Sequence, residues 1–160
     1  IYLVDFTHEL TQRVRAVRGP EVATARNIFA LPILQPESEA WFAQNLDDFL
    51  GAYDWTAPMA MPLMEGVPLG ESNRWLDSLV DAVASRRGAL DRTVFELQAR
   101  DWARPGSPDV PSDVLAGWMQ RLQLRGARSF GHYPDDFQRN EPRLEVIRPA
   151  LSNHWYPYHD

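Results

Sequence analysis

The chain has 160 residues, with 22 acidic against 16 basic side chains and a 44% hydrophobic content that is ordinary for one compact domain. It contains no cysteine, and every basic residue is arginine. That excludes thiol nucleophiles, zinc ribbons, disulfide frameworks, Schiff-base lysines and the phosphate-loop lysine. The net negative charge argues against nucleic acid and suits a cationic or neutral polar ligand.

Helical and strand patterns alternate along the chain. Phe6, Leu10, Val14 and Val17 form an apolar stripe at helical spacing, stopped by Gly19-Pro20, and Val22 to Ala30 reads as a strand. Pro36-Glu37-Ser38 opens a second helix with Phe42, Leu46 and Phe49 on one face, ending near Gly51. Trp55 to Met61 follows as a strand, weakened by Pro58, which costs a central strand a ladder hydrogen bond. Ser72 is placed to cap a third helix carrying Leu76, Leu79, Val80 and Val83, closed by Gly88. A strand over Thr93 to Trp102 comes next. Pro111-Ser112-Asp113 then starts a fourth helix with Leu115, Met119 and Leu122, Gly126 ends it, and Arg128 to Tyr133 forms the last strand. Pro105 to Pro111 reads as a surface loop, and the aromatic tail from Asn153 as irregular.

Helix–strand units in succession imply α/β architecture, a parallel sheet joined by crossovers. An open doubly wound sheet and half of an eight-stranded TIM-like (β/α)8 barrel both fit, a whole barrel needing about 250 residues. Ala25-Arg26-Asn27-Ile28-Phe29-Ala30 lacks the glycines of a dinucleotide-binding turn, which favours the half barrel.

Thr93 to Trp102 is the most informative stretch. Phe95, Leu97 and Ala99 point one way, while Val94, Glu96, Gln98 and Arg100 point the other. A parallel strand covered on both faces should be almost wholly apolar, and a carboxylate and an amide there are costly unless paired or solvated in a cleft. The sharper reading is a site at a strand's carboxyl end, where both architectures place chemistry. Collecting those ends gives Arg26 and Asn27; Met59, Met61 and Glu65; Glu96, Gln98, Asp101 and Trp102; and Tyr133, Asp135 and Asp136. This mixture of carboxylates, amides and aromatic faces, without clustered histidines, suits a carbohydrate cleft, and paired carboxylates are what glycoside cleavage requires.

Each candidate also has a structural reading. Met59 and Met61 fit barrel packing, and Trp41, Trp75 and Trp118 fit helix packing. Trp102 serves equally as a ligand platform or a loop anchor, and Tyr133-Pro134-Asp135-Asp136 can be a plain turn. His132 should face the helices, which makes it a poor general base. Arg26 can simply bridge to Glu96, and Glu96 can lie on the solvated face of an edge strand.

Longer strings carry a family resemblance. Asp5-Phe6-Thr7-His8-Glu9-Leu10, Thr24 to Ala30, Gln35 to Asn45, Tyr53-Asp54-Trp55-Thr56, Met59-Ala60-Met61-Pro62, Glu96-Leu97-Gln98-Ala99 and Tyr133-Pro134-Asp135-Asp136-Phe137 are the quotable ones. Together they resemble the C-terminal domain of the bacterial poly-β-1,6-N-acetylglucosamine deacetylases, the PgaB type of biofilm export systems, over essentially all of residues 1–160. The resemblance implies periplasmic, outer-membrane-associated lipoproteins. Their N-terminal domain is a metal-dependent deacetylase, and their C-terminal barrel binds and hydrolyses the partially deacetylated polymer. This chain would then be the second half of that barrel, with the first half, the deacetylase domain and the outer-membrane export machinery as partners and with no cofactor of its own. Glu96 and Asp135 would face amino or hydroxyl groups, Trp102 and Tyr133 would stack on sugar faces, and Arg26, Asn27 and Gln98 would form hydrogen-bond forks, with Met61 beside them.

The departure from the family pattern matters equally. The aspartate regarded as the acid in that domain lies in a His-Asp-Asp string, and no such string occurs here. Asp135-Asp136 follows Tyr-Pro and does not inherit the role. The main acid is therefore expected outside this chain, with Glu96 as a supporting carboxylate; a non-catalytic binding and guidance module for the polymer is the alternative.

Overall fold

A computed structural model describes residues 2–152, so the tail expected from Asn153 onward lies outside the described residues. The element order is α1 (Tyr2–Arg18), β1 (Ala25–Phe29), α2 (Ala30–Leu34), α3 (Glu39–Phe42), α4 (Leu46–Ala52), β2 (Trp55–Ala60), α5 (Ser72–Ala84), β3 (Val94–Gln98), α6 (Ser112–Leu124), β4 (Ser129–Tyr133) and α7 (Leu144–Leu151). The strands form one sheet in the order β1-β2-β3-β4, every neighbouring pair parallel. Successive parallel strands joined by helices on one side are part of a (β/α)8 barrel, as the strand and helix periodicities imply.

The register sorts the side chains by face. Ile28, Pro58, Phe95 and Phe130 share one face, with Thr56, Ala60, Leu97 and His132 in step with them. Helices cover this face. Ile28, Ala60, Phe95 and Leu97 are buried with Leu76, Leu79, Val80 and Val83 of α5 and Leu115, Trp118, Met119 and Leu122 of α6 in one continuous core. Each Val, Leu, Ile, Met or Phe among them contributes about 1.5–3 kcal/mol on burial. The opposite face, bearing Asn27, Ala57, Met59 and Glu96, has no covering layer of helices among the described residues; Gln98, at the end of β3 on this side, is covered by the turn after β2. Between α5 and α6, Asp77 pairs with Arg121 and Asp81 with Arg125. The Arg121 guanidinium holds the Asp77 carboxyl below the usual carboxylate range.

Several expectations from the pattern are corrected. The second helix, expected to run from Pro36 to Gly51, is broken: Ala43 takes φ 52°, and α4 restarts behind Asn45, whose side chain accepts from the Asp48 N–H at 2.8 Å. Ser72 is not a cap but the first residue of α5; its buried hydroxyl donates to Leu69 O at 2.7 Å and accepts from Trp118 Nε1 at 2.9 Å, tying α5 to α6. Trp118 is packed and Trp75 lies against the core, but Trp41 is 83% exposed. Pro58 sits within β2, and the ladder to β3 is interrupted between the Thr56–Thr93 bridge and the Met59–Glu96 pair, where proline has no N–H to give.

The stripe on α1 faces outward: Phe6, Leu10, Val14 and Val17 are 47% to 83% exposed. The helix docks through another face, with Val4 against the core, the Thr7 hydroxyl on the Tyr53 hydroxyl, and His8 Nε2 within 3.0 Å of Ala52 O. An apolar stripe of this kind beside open strand edges drives association. Residues 1–160 produced alone are expected to self-associate at micromolar concentration, and Leu10→Glu with Val14→Glu to reduce that association. Sedimentation velocity checks this, and a well-behaved monomer of the unmodified chain would contradict it.

Candidate functional site

The uncovered face converges on Glu96, in the middle of β3. Asn27 of β1 donates from Nδ2 to Glu96 Oε2 at 2.7 Å. The two residues sit on strands separated by β2, where Asn27 is in register with Ala57 and Glu96 with Met59, so the contact runs diagonally across that strand. This orients the carboxylate and leaves Oε1 with no hydrogen-bond partner among the described residues. Two residues further along β3, Gln98 stands in register with Tyr133 of β4, about 7 Å nearer the carboxyl end. There the Tyr133 ring stacks on Trp102, with centroids 5.9 Å apart and planes 24° apart. Tyr133 is more than half exposed and Trp102 partly so, which leaves an aromatic surface open above the carboxylate.

Not every candidate converges there. Arg26 falls on the helix-covered side, in register with buried Thr56, because alternate residues of a strand point to opposite faces. Glu96 is therefore partnered by Asn27 and not by Arg26. Met61, 3% exposed, is packed and offers a ligand almost no surface. Gln98 is fully buried: its Oε1 accepts from the N–H groups of Leu63 at 2.8 Å and Met64 at 3.1 Å, and its Nε2 donates to Arg100 O at 2.7 Å. Its amide is committed to the protein and is not free to fork a sugar. Asp135 leans toward His132, with Oδ1 at 3.9 Å from Nε2, on the side away from Glu96. That is beyond hydrogen-bonding reach, so desolvation dominates and lowers the His132 pKa despite Asp135.

Residues missed as site members surround this centre. Arg100 donates to Asp109 Oδ1 from Nε at 3.2 Å and Nη2 at 3.1 Å, and Arg139 reaches Asp109 Oδ2 at 3.4 Å. The loops after β3 and β4, which carry Trp102 and Asp135, are thereby tied together. Nothing in residue type announces this link, since its partners lie in loops. Glu65, already among the strand-end candidates, lies on the turn after β2 that Gln98 holds; it is half-buried and has no ion-pair or hydrogen-bond partner for its carboxylate among the described residues. Burial raises its pKa above the ordinary glutamate value. Among the described residues no group of three or more His, Cys, Asp or Glu side chains is arranged to hold a metal ion.

A parallel half-barrel sheet whose open face carries an oriented carboxylate and an aromatic stack at the strands' carboxyl ends has the layout of a (β/α)8 barrel with its site at that end. The comparisons agree. The model of the hypothetical glycosyl hydrolase family 13 matches residues 1–133, and the chain belongs to that family. It is 52% identical over 159 residues to the poly-beta-1,6-N-acetyl-D-glucosamine N-deacetylases of Escherichia coli K12 and O157:H7, spanning 99% of this chain but 24% of their length. The PgaB (BpsB) glycoside hydrolase domain from Bordetella bronchiseptica superposes with a TM-score of 0.87 at 43% identity, covering 94% of this chain and 42% of that one.

Two outcomes are expected from this geometry. Gln98→Leu strands the Leu63 N–H and the Arg100 carbonyl and leaves the Met64 N–H only its bond to Met61 O, and should cost about 2 kcal/mol in denaturant unfolding. Glu96→Gln, which keeps an acceptor for Asn27, should cost less than ~0.5 kcal/mol. Glu65 supplies a pH test. Its folded-state pKa is raised above the unfolded value, so its destabilising effect is fully present above the folded pKa and absent below the unfolded value of about 4.3. Glu65→Gln should therefore raise Tm at pH 7, with the gain disappearing as the pH falls toward about 4. A gain independent of pH in paired melts would contradict the assignment.

Proposed function

We propose that this chain is the second half of a barrel domain that binds and cleaves partially deacetylated poly-β-1,6-N-acetyl-D-glucosamine during the modification and export of a biofilm polysaccharide. The observation that carries the reading is the Glu96 carboxylate, held by Asn27 on the open face of the sheet beside the Trp102–Tyr133 stack. The relatives named for that polymer and the solved glycoside hydrolase domain support it.

In this reading sugar rings lay their CH faces on Trp102 and Tyr133, while Oε1 of Glu96 meets a hydroxyl or ammonium group of the adjoining unit. Glycoside cleavage takes two carboxyl groups flanking the scissile bond, one protonating the leaving oxygen and the other acting as base or nucleophile. Glu96 is the supporting carboxylate, and the principal acid lies outside this chain. Gln98 acts indirectly, by fixing the turn after β2 against the loop after β3. The first half of the barrel, an N-terminal deacetylase domain and an outer-membrane export apparatus are the partners this reading assigns. Its compartment is the periplasm, with the whole protein anchored as a lipoprotein.

Glu96→Gln in the complete domain tests the role. Loss of cleavage by at least a hundredfold, with oligosaccharide affinity unchanged, supports catalysis; a parallel loss of affinity and cleavage supports a binding and guidance module. Trp102→Ala should weaken oligosaccharide binding about tenfold, in line with the loss of one aromatic stacking surface. Titration calorimetry with oligosaccharides of defined deacetylation reads both.

A further inference from the structure

Gly131 lies within β4, and among the described residues it is the one glycine inside a strand. Glycine weakens a strand interior, and its presence there marks a bulge, a bend or the close approach of another group. The pairing of β3 with β4 runs without a break from Val94–Ser129 to Gln98–Tyr133, so there is no bulge. Gly131 does not adopt a positive φ, so its backbone does not require glycine. A Cβ built on it meets no heavy atom within 4 Å, so no neighbouring part of the described structure needs the room. The glycine therefore keeps open a space that the described residues do not use.

Register places that space. Phe29, Met59, Glu96 and Gly131 are successive partners across the four strands and share the open face. The first three carry long side chains, and Phe42 extends the row at its β1 end, with its ring centroid 5.0 Å from that of Phe29. On β4 the row is bare. Asn27 draws Glu96 Oε2 across β2 and away from β4, which widens the bare strip. Tyr133, two residues further along β4 on the same face, closes the carboxyl end of the strip with the ring that stacks on Trp102. A group resting on the Gly131 backbone thus has the strand bearing Glu96 about 5 Å to one side and the Tyr133 position about 7 Å along its own strand.

We propose that Gly131 is a specificity-determining residue: its bare backbone is the floor on which the sugar unit facing Glu96 rests, and the missing side chain sets the bulk admitted there. The proposal rests on the polysaccharide reading above. A pyranose ring that touches a carboxylate rooted in the middle of a strand must come down beside it. Met59 stands on the β2 side of Glu96, and the β4 side is the clear one among the described residues. A branched side chain at position 131 would occupy the place where the ring has to lie.

The test measures oligosaccharide affinity by titration calorimetry, together with Tm, on the complete domain, with a partially deacetylated β-1,6-linked glucosamine oligosaccharide as the probe. Ala and Val fit an extended backbone with open space beside it and restrict the unfolded chain, so Gly131→Ala and Gly131→Val should melt at or above the wild-type Tm. Affinity should fall with the bulk added, about threefold for Ala and about thirtyfold for Val. Ser129→Val adds bulk on the same face two residues nearer the amino end of β4, and should keep the wild-type affinity. Unchanged affinity in Gly131→Val, or an equal loss in Ser129→Val, overturns the role of Gly131 while leaving the polysaccharide reading intact. A lowered Tm in Gly131→Val also overturns it, because the space is then filled by the domain's own side chains. Wild-type protein that binds no oligosaccharide overturns the polysaccharide reading, and the role of Gly131 with it.

Discussion

Gln98 sits where a covered parallel strand would ordinarily carry an aliphatic residue, and its side chain is wholly withdrawn from water. Burying a primary amide costs several kcal/mol if its groups go unmet. Here one oxygen collects the N–H groups of Leu63 and Met64, and the nitrogen answers the carbonyl of Arg100. The amide thus satisfies the Leu63 N–H, which has no partner within the turn after β2, and shares the Met64 N–H with Met61 O. It also locks that turn to the end of β3. It joins the loop carrying Glu65 to the start of the segment carrying Asp101 and Trp102. An apolar replacement would fill the space and still leave the turn unanchored.

The division between the two sheet faces follows from burial. Ile28, Ala60, Phe95 and Leu97 satisfy the helices, so the residues between them in sequence are forced onto the other face. Glu96 is polar at no cost to the core because its face is not where the core lies. The Asn27–Glu96 contact crosses β2 diagonally, since Asn27 is in register with Ala57 and Glu96 with Met59.

Much of this was readable from the chain. The alternation of helix and strand, the parallel sheet, the split faces of Thr93 to Trp102 and the helix-facing side of His132 all follow from periodicity, which registers burial directly. Strict alternation would also have separated Arg26 from Asn27, so the pairing of Glu96 with Asn27 was within reach of the pattern. Other features were not. The break at Ala43 depends on a left-handed backbone at a residue whose type does not call for one. The exposure of α1's stripe and of Trp41 reflects which neighbours surround each helix, and apolar spacing cannot say whether a neighbour is present. Gln98 read as a ligand fork because residue type reveals polarity and not commitment. Only coordinates show that its hydrogen bonds are already taken.

The polar groups of the site are held by two kinds of restraint, and the difference bears on how the site works. Asn27, Glu96 and Gln98 stand on strands packed against a continuous core, so their positions move only if the core moves. The aromatic stack depends on loops held partly by Arg100, Asp109 and Arg139, ion pairs that are partly or largely solvated. Such pairs are individually weak, about 0–1 kcal/mol, and are screened by salt. In the proposed reading, a stiff carboxylate beneath a compliant platform would suit a long polymer whose units differ in charge and bulk. The carboxylate would stay fixed while the aromatic surface adjusts to the unit resting on it. The backbone bonds from Ala99 N to Tyr133 O at 2.7 Å and from Val110 N to Ala99 O at 2.9 Å limit that adjustment, because they keep both loops attached at the ends of β3 and β4 however far their tips yield.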